Sequence, residues 1–273
     1  MLIDLVATNG SRLLAENDET PLGAVRLALR ATFVDRRFYL QQMFGQLDPR
    51  EQWPAEASNS RWFRAVRAEA PTLREFLRSV RFFGAPDEDA VCSETFFLWV
   101  VLEMIANTRA HGGHQTRRMF YVDSSSLHVN EDRILDFYRP NQQLMNPDFI
   151  ARHALVLFEE VLHAAEIMER MCVDETERAA ITIVCLINKL RRAGTRVPQA
   201  AEWLDRTFRY LRTYYEQTSR LLSTRLGQLL LCVEAIEKAH VKQTELFTLV
   251  QLNYRVENVD YWCYRGVIFK SDL

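Results

Sequence analysis

Apolar residues recur at three- and four-residue steps through most of this chain, and the longest such series lies near its end. From Thr224 to Leu252 they fall at Leu226, Leu229, Leu230, Val233, Ile236, Ala239, Leu246, Leu249 and Val250, which marks one face of a long helix. Leu231, Cys232, Phe247 and Leu252 widen the stripe. A helix apolar over so much of its girth belongs inside a bundle or partly against another subunit.

The same period predicts the other elements. Residues 1–19 are poorly periodic and expected to be poorly ordered. Thr20-Pro21 reads as a helix start, followed by apolar positions to Phe44. Residues 47–59 are loop-like, and Ser60 to Phe83 is helical again, with Pro71 expected to kink or restart it. Gly84-Ala85-Pro86-Asp87 breaks the pattern. The next helix carries FFLWVVLEMIA to about His111, apolar on every side, so it should cross the middle of the fold. Residues 119–129 alternate around Asp123-Ser124-Ser125-Ser126 and predict a small hairpin. Further helices follow near Ile134–Phe137, then over Asp148–Cys172, Asp174–Arg192 and Pro198–Leu222. With no repeat, low-complexity tract or flexible linker, residues 1–273 read as one mostly helical, layered domain.

Composition narrows the function classes. A formal net charge of -2 with scattered Lys and Arg gives no electrostatic drive toward nucleic acid. Five cysteines, none forming CxxC, fit reduced thiols in an intracellular protein. The start lacks a signal-peptide pattern, and the longest apolar run, Phe96 to Leu102, is far short of the ~20 residues of a membrane span. No nucleophile elbow, phosphate-binding glycine loop or HExxH occurs, so no enzymatic activity is expected.

Several segments, in order, resemble the ligand-binding domain of nuclear receptors over roughly residues 72–252. Arg225, Leu226, the triple Leu229-Leu230-Leu231 and Glu245 are similar, without gaps, to the family's fused tenth and eleventh helices. VDETERAAITIVCLIN (Val173 to Asn188) resembles its eighth helix, Phe76 to Phe83 the end of its third, and Trp99 the Trp of its fifth. The hairpin falls where the family has its small sheet. The pattern is that of a divergent member, of the retinoid X receptor or invertebrate-receptor kind.

That resemblance implies an all-α, three-layer antiparallel helical sandwich with one β-hairpin. It also implies an apolar pocket under the hairpin, with Leu73, Phe76, Leu77, Trp99, Met104 and Ile105 as candidate lining and a lipid- or sterol-like ligand. The same aromatic side chains would otherwise fill that space. Arg109 is the candidate anchor for a ligand carboxylate; the alternative is a salt bridge at its helix end. A coregulator groove would include Arg78, Cys92, Phe96 and Tyr264. A homo- or heterodimer with another such domain would use Arg225, Leu226, Leu229, Leu230, Cys232 and Val233. A regulator of this kind would work in the nucleus through a corepressor-like helical peptide, with no membrane contact and no direct nucleic-acid contact from this chain, which lacks the family's eight-cysteine DNA-binding module.

Departures from the family pattern matter too. The Glu of the central helix is either replaced by Val101 or displaced to Glu103, and Arg191, Arg192 or Arg196 is its expected partner. Arg78 keeps the basic end of the family's peptide clamp, whereas Tyr264 stands near its acidic end and Phe96 replaces a basic residue. Ordinary ligand-dependent activation is therefore not expected. A different class comes from two E-x-x-H pairs, Glu160/His163 and Glu237/His240, which with Glu103 and Glu159 would make a carboxylate-bridged di-iron site in a helix bundle. His111-Gly112-Gly113-His114 is a weaker metal hint. A third class is a helical scaffold with no small-molecule site.

Overall fold

The structure, a computed structural model, describes residues 21–44, 59–80, 88–123, 125–142, 144–195 and 197–253. Expectations for residues 1–19, the 47–58 loop, the 84–87 break, Arg196 and everything after Asn253, Tyr264 included, lie outside them. Helices form where the apolar period predicts them: α1 (Pro21–Phe44), α2 (Asn59–Val80), α3 (Glu88–Ala110), α5 (Glu131–Tyr138), α6 (Pro147–Arg170), α7 (Glu175–Arg192), α8 (Ala200–Gln217) and α9 (Leu222–Leu252). Between α3 and α5 come a single-turn α4 (Gly113–Thr116) and the strands β1 (Arg118–Phe120) and β2 (Ser126–His128).

α3 lies at the centre because no side of it is polar. Its buried residues run from Val91 and Cys92 through Leu98 to Ile105, and it touches α2, α6, α7 and α9. On one side α1 and α2 pack against each other and against α3 and α7; on the other, α6 and α9 lie along each other. The result is a three-layer helical sandwich. α6 and α9 are antiparallel: Cys232 meets Met171 at one end (3.6 Å), and the Met145 N–H donates to the Asn253 carbonyl at the other (2.7 Å).

α2 runs unbroken through Pro71 where the sequence suggested a kink or restart. Proline there removes the N–H that would bond the carbonyl four residues earlier. The turns on both sides bury Val66, Ala68, Ala70, Leu73, Phe76 and Leu77, and that packing holds the helix together. The hairpin is as expected, antiparallel with Met119 opposite Leu127. It is pinned to α3 because the Phe120 N–H donates to Thr108 Oγ1 (3.0 Å). Gly113 permits this approach: a Cβ there would sit 2.1 Å from the Arg118 carbonyl oxygen.

α7 begins with a full capping box, Asp174 accepting from the Glu177 N–H and Glu177 accepting from the Asp174 N–H. The same two carboxylates gather the far end of the chain. Tyr214 donates to Asp174 (2.6 Å), Arg220 reaches both Asp174 and Glu177, and Arg225 pairs with Glu177.

Candidate functional site

The candidate pocket residues all lie in the core. Leu73, Phe76, Leu77, Trp99, Met104 and Ile105 are all buried, and the Phe76 and Trp99 rings pack at 4.8 Å. Under the hairpin, Tyr121 packs against Trp62 (6.1 Å), Phe137 (6.1 Å) and Phe158 (6.3 Å), an aromatic cluster. The Tyr121 hydroxyl is wholly buried and has no hydrogen-bond partner among the described residues. Burial first, then Tyr138 and Asp123, hold its pKa well above the usual phenol value. Arg109 donates to Glu169 (2.8 Å) and to the Val173 carbonyl (2.6 Å).

Beside this apolar interior lies a buried ionic network. Arg36 pairs with Glu69 and with Glu103 (2.8 Å), Arg178 with Glu103 (2.7 Å), and the Trp99 indole N–H donates to Glu69 (2.8 Å). Glu103 is buried and ion-paired, with Arg36 of α1 and Arg178 of α7 as its partners. The expected Arg191 is exposed and Arg192 pairs with Glu237. Burial works to raise the Glu103 carboxyl; Arg178 and Arg36 outweigh it, and its pKa lies below the usual carboxylate range. Arg36 is raised, its two carboxylates overcoming burial.

Of the coregulator candidates, Arg78 is exposed and bonds Glu88 (2.8 Å) and Glu75 (3.2 Å). Cys92 and Phe96 are buried, and burial pushes the Cys92 thiol up to about 12. On α9 the six dimer candidates divide. Leu229, Cys232 and Val233 belong to the core, and Arg225 is held by Glu177 and the carbonyls of Met171 and Cys172. Leu226 is half-buried, and Leu230 is 58% exposed, beside Leu231 at 51%. Leu231, Glu234, Lys238, Val241 and Glu245 continue an exposed stripe along the helix.

The di-iron reading does not survive this geometry. Glu103 and Glu159 are taken by arginines, Glu237 by Arg192 and Asn188, and His163 is exposed. Among the described residues no cluster of three or more His, Cys, Asp or Glu is arranged to hold a metal ion. His111 stacks on Phe120 at 4.6 Å instead.

The sequence alone did not reveal a cleft of about 600 Å³ walled by the end of α7 and the second half of α9. Its apolar lining is Leu98, Cys185, Val241 and Leu249, and Lys189, Arg192, His153 and His240 stand around it. His240 is kept neutral down to about 4, by burial first and then by Lys189. Helical spacing hints at this grouping, since Cys185, Lys189 and Arg192 lie at four- and three-residue steps on one face.

No sequence-family model matches the chain, and no curated protein does. The ligand-binding domain of Ultraspiracle from Drosophila melanogaster is similar in structure, with a TM-score of 0.55 over 88% of this chain and 98% of that one, at 12% identity. The fold is that of a nuclear receptor ligand-binding domain. In addition, among the described residues no helix is long and apolar enough to cross a membrane.

Proposed function

We propose that this chain is the regulatory, ligand-binding-type domain of a nuclear-receptor-like transcription regulator. In this reading residues 1–273 form one non-enzymatic domain that acts in the nucleus, dimerises with a like domain and recruits a corepressor-like helical peptide. The three-layer fold shared with the Ultraspiracle ligand-binding domain carries the reading. Membership near the retinoid X receptor is the finer form of the same proposal. The aromatic cluster packed under the hairpin supports a regulator that does not depend on an interior ligand for activation. Exposed Leu230 and Leu231 support an α9 dimer face, and exposed Arg78 supports a peptide groove at the end of α2.

Sedimentation and a peptide panel test it together. The chain is expected to dimerise, and Leu230→Glu with Leu231→Glu is expected to give monomers of unchanged helicity. A helical leucine-rich corepressor peptide is expected to bind, and Arg78→Ala to weaken it about tenfold. A wild-type monomer that binds neither activator nor repressor peptides would leave a helical scaffold as the better description.

A further inference from the structure

The cleft between α7 and α9 is a second place to look for a ligand, and its charges are unevenly satisfied. Glu237 is neutralised by Arg192 (2.8 Å) and further bonded by Asn188 (3.2 Å). Glu245 pairs with Lys242 (2.8 Å). Thr244 and Thr248 donate their hydroxyls back to the carbonyls of His240 and Thr244, both at 3.0 Å. His153 donates Nδ1–H to the Phe149 carbonyl (2.9 Å), which leaves Nε2 available. The Lys189 ammonium alone, among the charged groups of the lining, has neither an ion pair nor a hydrogen bond to any described residue. The His240 ring nitrogens likewise have no such partner.

The cleft therefore presents one uncompensated ammonium and a neutral imidazole above Leu98, Cys185, Val241 and Leu249. Its volume of about 600 Å³ falls in the range of small-molecule sites, which combine an apolar lining with a few placed polar groups. An ammonium at the edge of a low-dielectric wall favours an anion, and a carboxylate can take hydrogen bonds from both Lys189 and a His240 N–H. We propose that this cleft binds a small carboxylate with an apolar body, its head at Lys189 and His240 and its body on Leu98, Cys185, Val241 and Leu249. Its lining shares no residue with the aromatic cluster under the hairpin, and the proposal does not rest on dimerisation or on peptide recruitment.

Titration calorimetry of the full chain with dodecanoate and with dodecanol, both below their aggregation limits, tests it. One dodecanoate per chain is expected to bind, with dodecanol about tenfold weaker or more. Lys189→Met keeps length and removes charge, and it is expected to bring dodecanoate down to the level of the alcohol; Lys189→Arg is expected to restore the difference. Thr244→Trp, at an exposed position of the lining, is expected to fill the cleft and weaken both probes about tenfold. Absence of binding, equal affinity for acid and alcohol in the unsubstituted chain, or dodecanoate binding that neither Lys189→Met nor Thr244→Trp changes would overturn it. The last outcome places the ligand elsewhere and leaves the regulatory reading intact, because that reading is judged by the dimer and peptide measurements.

Discussion

The Trp99 indole N–H donates to Glu69 Oε2 across 2.8 Å, and both residues are completely buried. Glu69 is also bound by Arg36, which passes on to Glu103, which is bound in turn by Arg178. One hydrogen bond to an indole and three ion pairs thus tie α1, α2, α3 and α7 together inside the core. Their worth lies in being complete: removing one member leaves a buried charge without its partner. Glu103→Gln is expected to lower unfolding free energy by about 3–5 kcal/mol. Trp99→Phe, which leaves the ions paired, is expected to cost only about 1–3 kcal/mol. Urea denaturation of both variants checks the order, and a Trp99→Phe loss equal to that of Glu103→Gln would contradict it.

Tyr121 is the opposite case, a buried hydroxyl with nothing described to bond. An unsatisfied buried donor costs about 1–3 kcal/mol. Tyr121→Phe keeps the ring among Trp62, Phe137 and Phe158 and is expected to be neutral or to stabilise by roughly 1 kcal/mol. Thermal melts decide it. A lowered melting temperature would mean that the hydroxyl has a bound acceptor, such as a water or a ligand under the hairpin.

Two neighbours in the α9 motif are expected to behave differently. Arg225 has a side chain only 12% exposed and pairs with Glu177, which is not exposed at all. Arg225→Met is expected to cost about 3 kcal/mol or more in stability and to leave any dimer contact of the folded fraction unchanged. Leu230→Glu, at an open position, is expected to leave stability within about 0.5 kcal/mol and to change only association. Denaturation and sedimentation of the same two samples compare them directly.

Acid should weaken the fold in two separate ranges. His240 has a folded pKa of about 4 against about 6.5 unfolded, so the unfolded chain takes up the proton first. Its contribution is complete above about pH 6.5 and falls as pH drops toward 4, on the order of 2 kcal/mol between pH 7 and pH 5. Glu103 is held below the usual carboxylate range, so its share is present above about pH 4.3 and is lost below that. His240→Gln is expected to flatten the upper range of a stability-versus-pH curve and to leave the lower one. Lys189, Arg192 and Glu237 are the charged groups that act on that ring.

Most of the architecture was legible because long helices write their buried face at a fixed spacing. α3 was apolar all round and is central; Asp174 and Glu177 spelled a helix cap and form one. The ion network was legible in principle, since Glu69 lies three residues after Val66 and four before Leu73 on one buried face. Its pairing was not, because Arg36 and Arg178 lie 67 and 75 residues from Glu103 and no local pattern links them. Arg225 shows the same limit from the other side. A motif can place it at the start of α9, but only packing shows that it reaches back to α7 and not outward. The availability of Lys189 is less legible still, because it depends on where every nearby carboxylate has gone.

The convergence of Arg220 and Tyr214 on Asp174 closes chain segments of 46 and 40 residues. Such a closure lowers the number of conformations the intervening chain can sample, by an amount that grows only slowly with its length. α8 lies inside that closed segment, buries only Ala200, Thr207, Leu211, Tyr214 and Tyr215, and has no side-chain cap at its start. The first half of α8 can therefore open while Arg220 and Arg225 still hold α9 to the start of α7, a local excursion that leaves the rest of the sandwich closed. Evolution or design can lengthen the connection between α7 and α8 at little thermodynamic expense, because the latch that registers α9 sits after it.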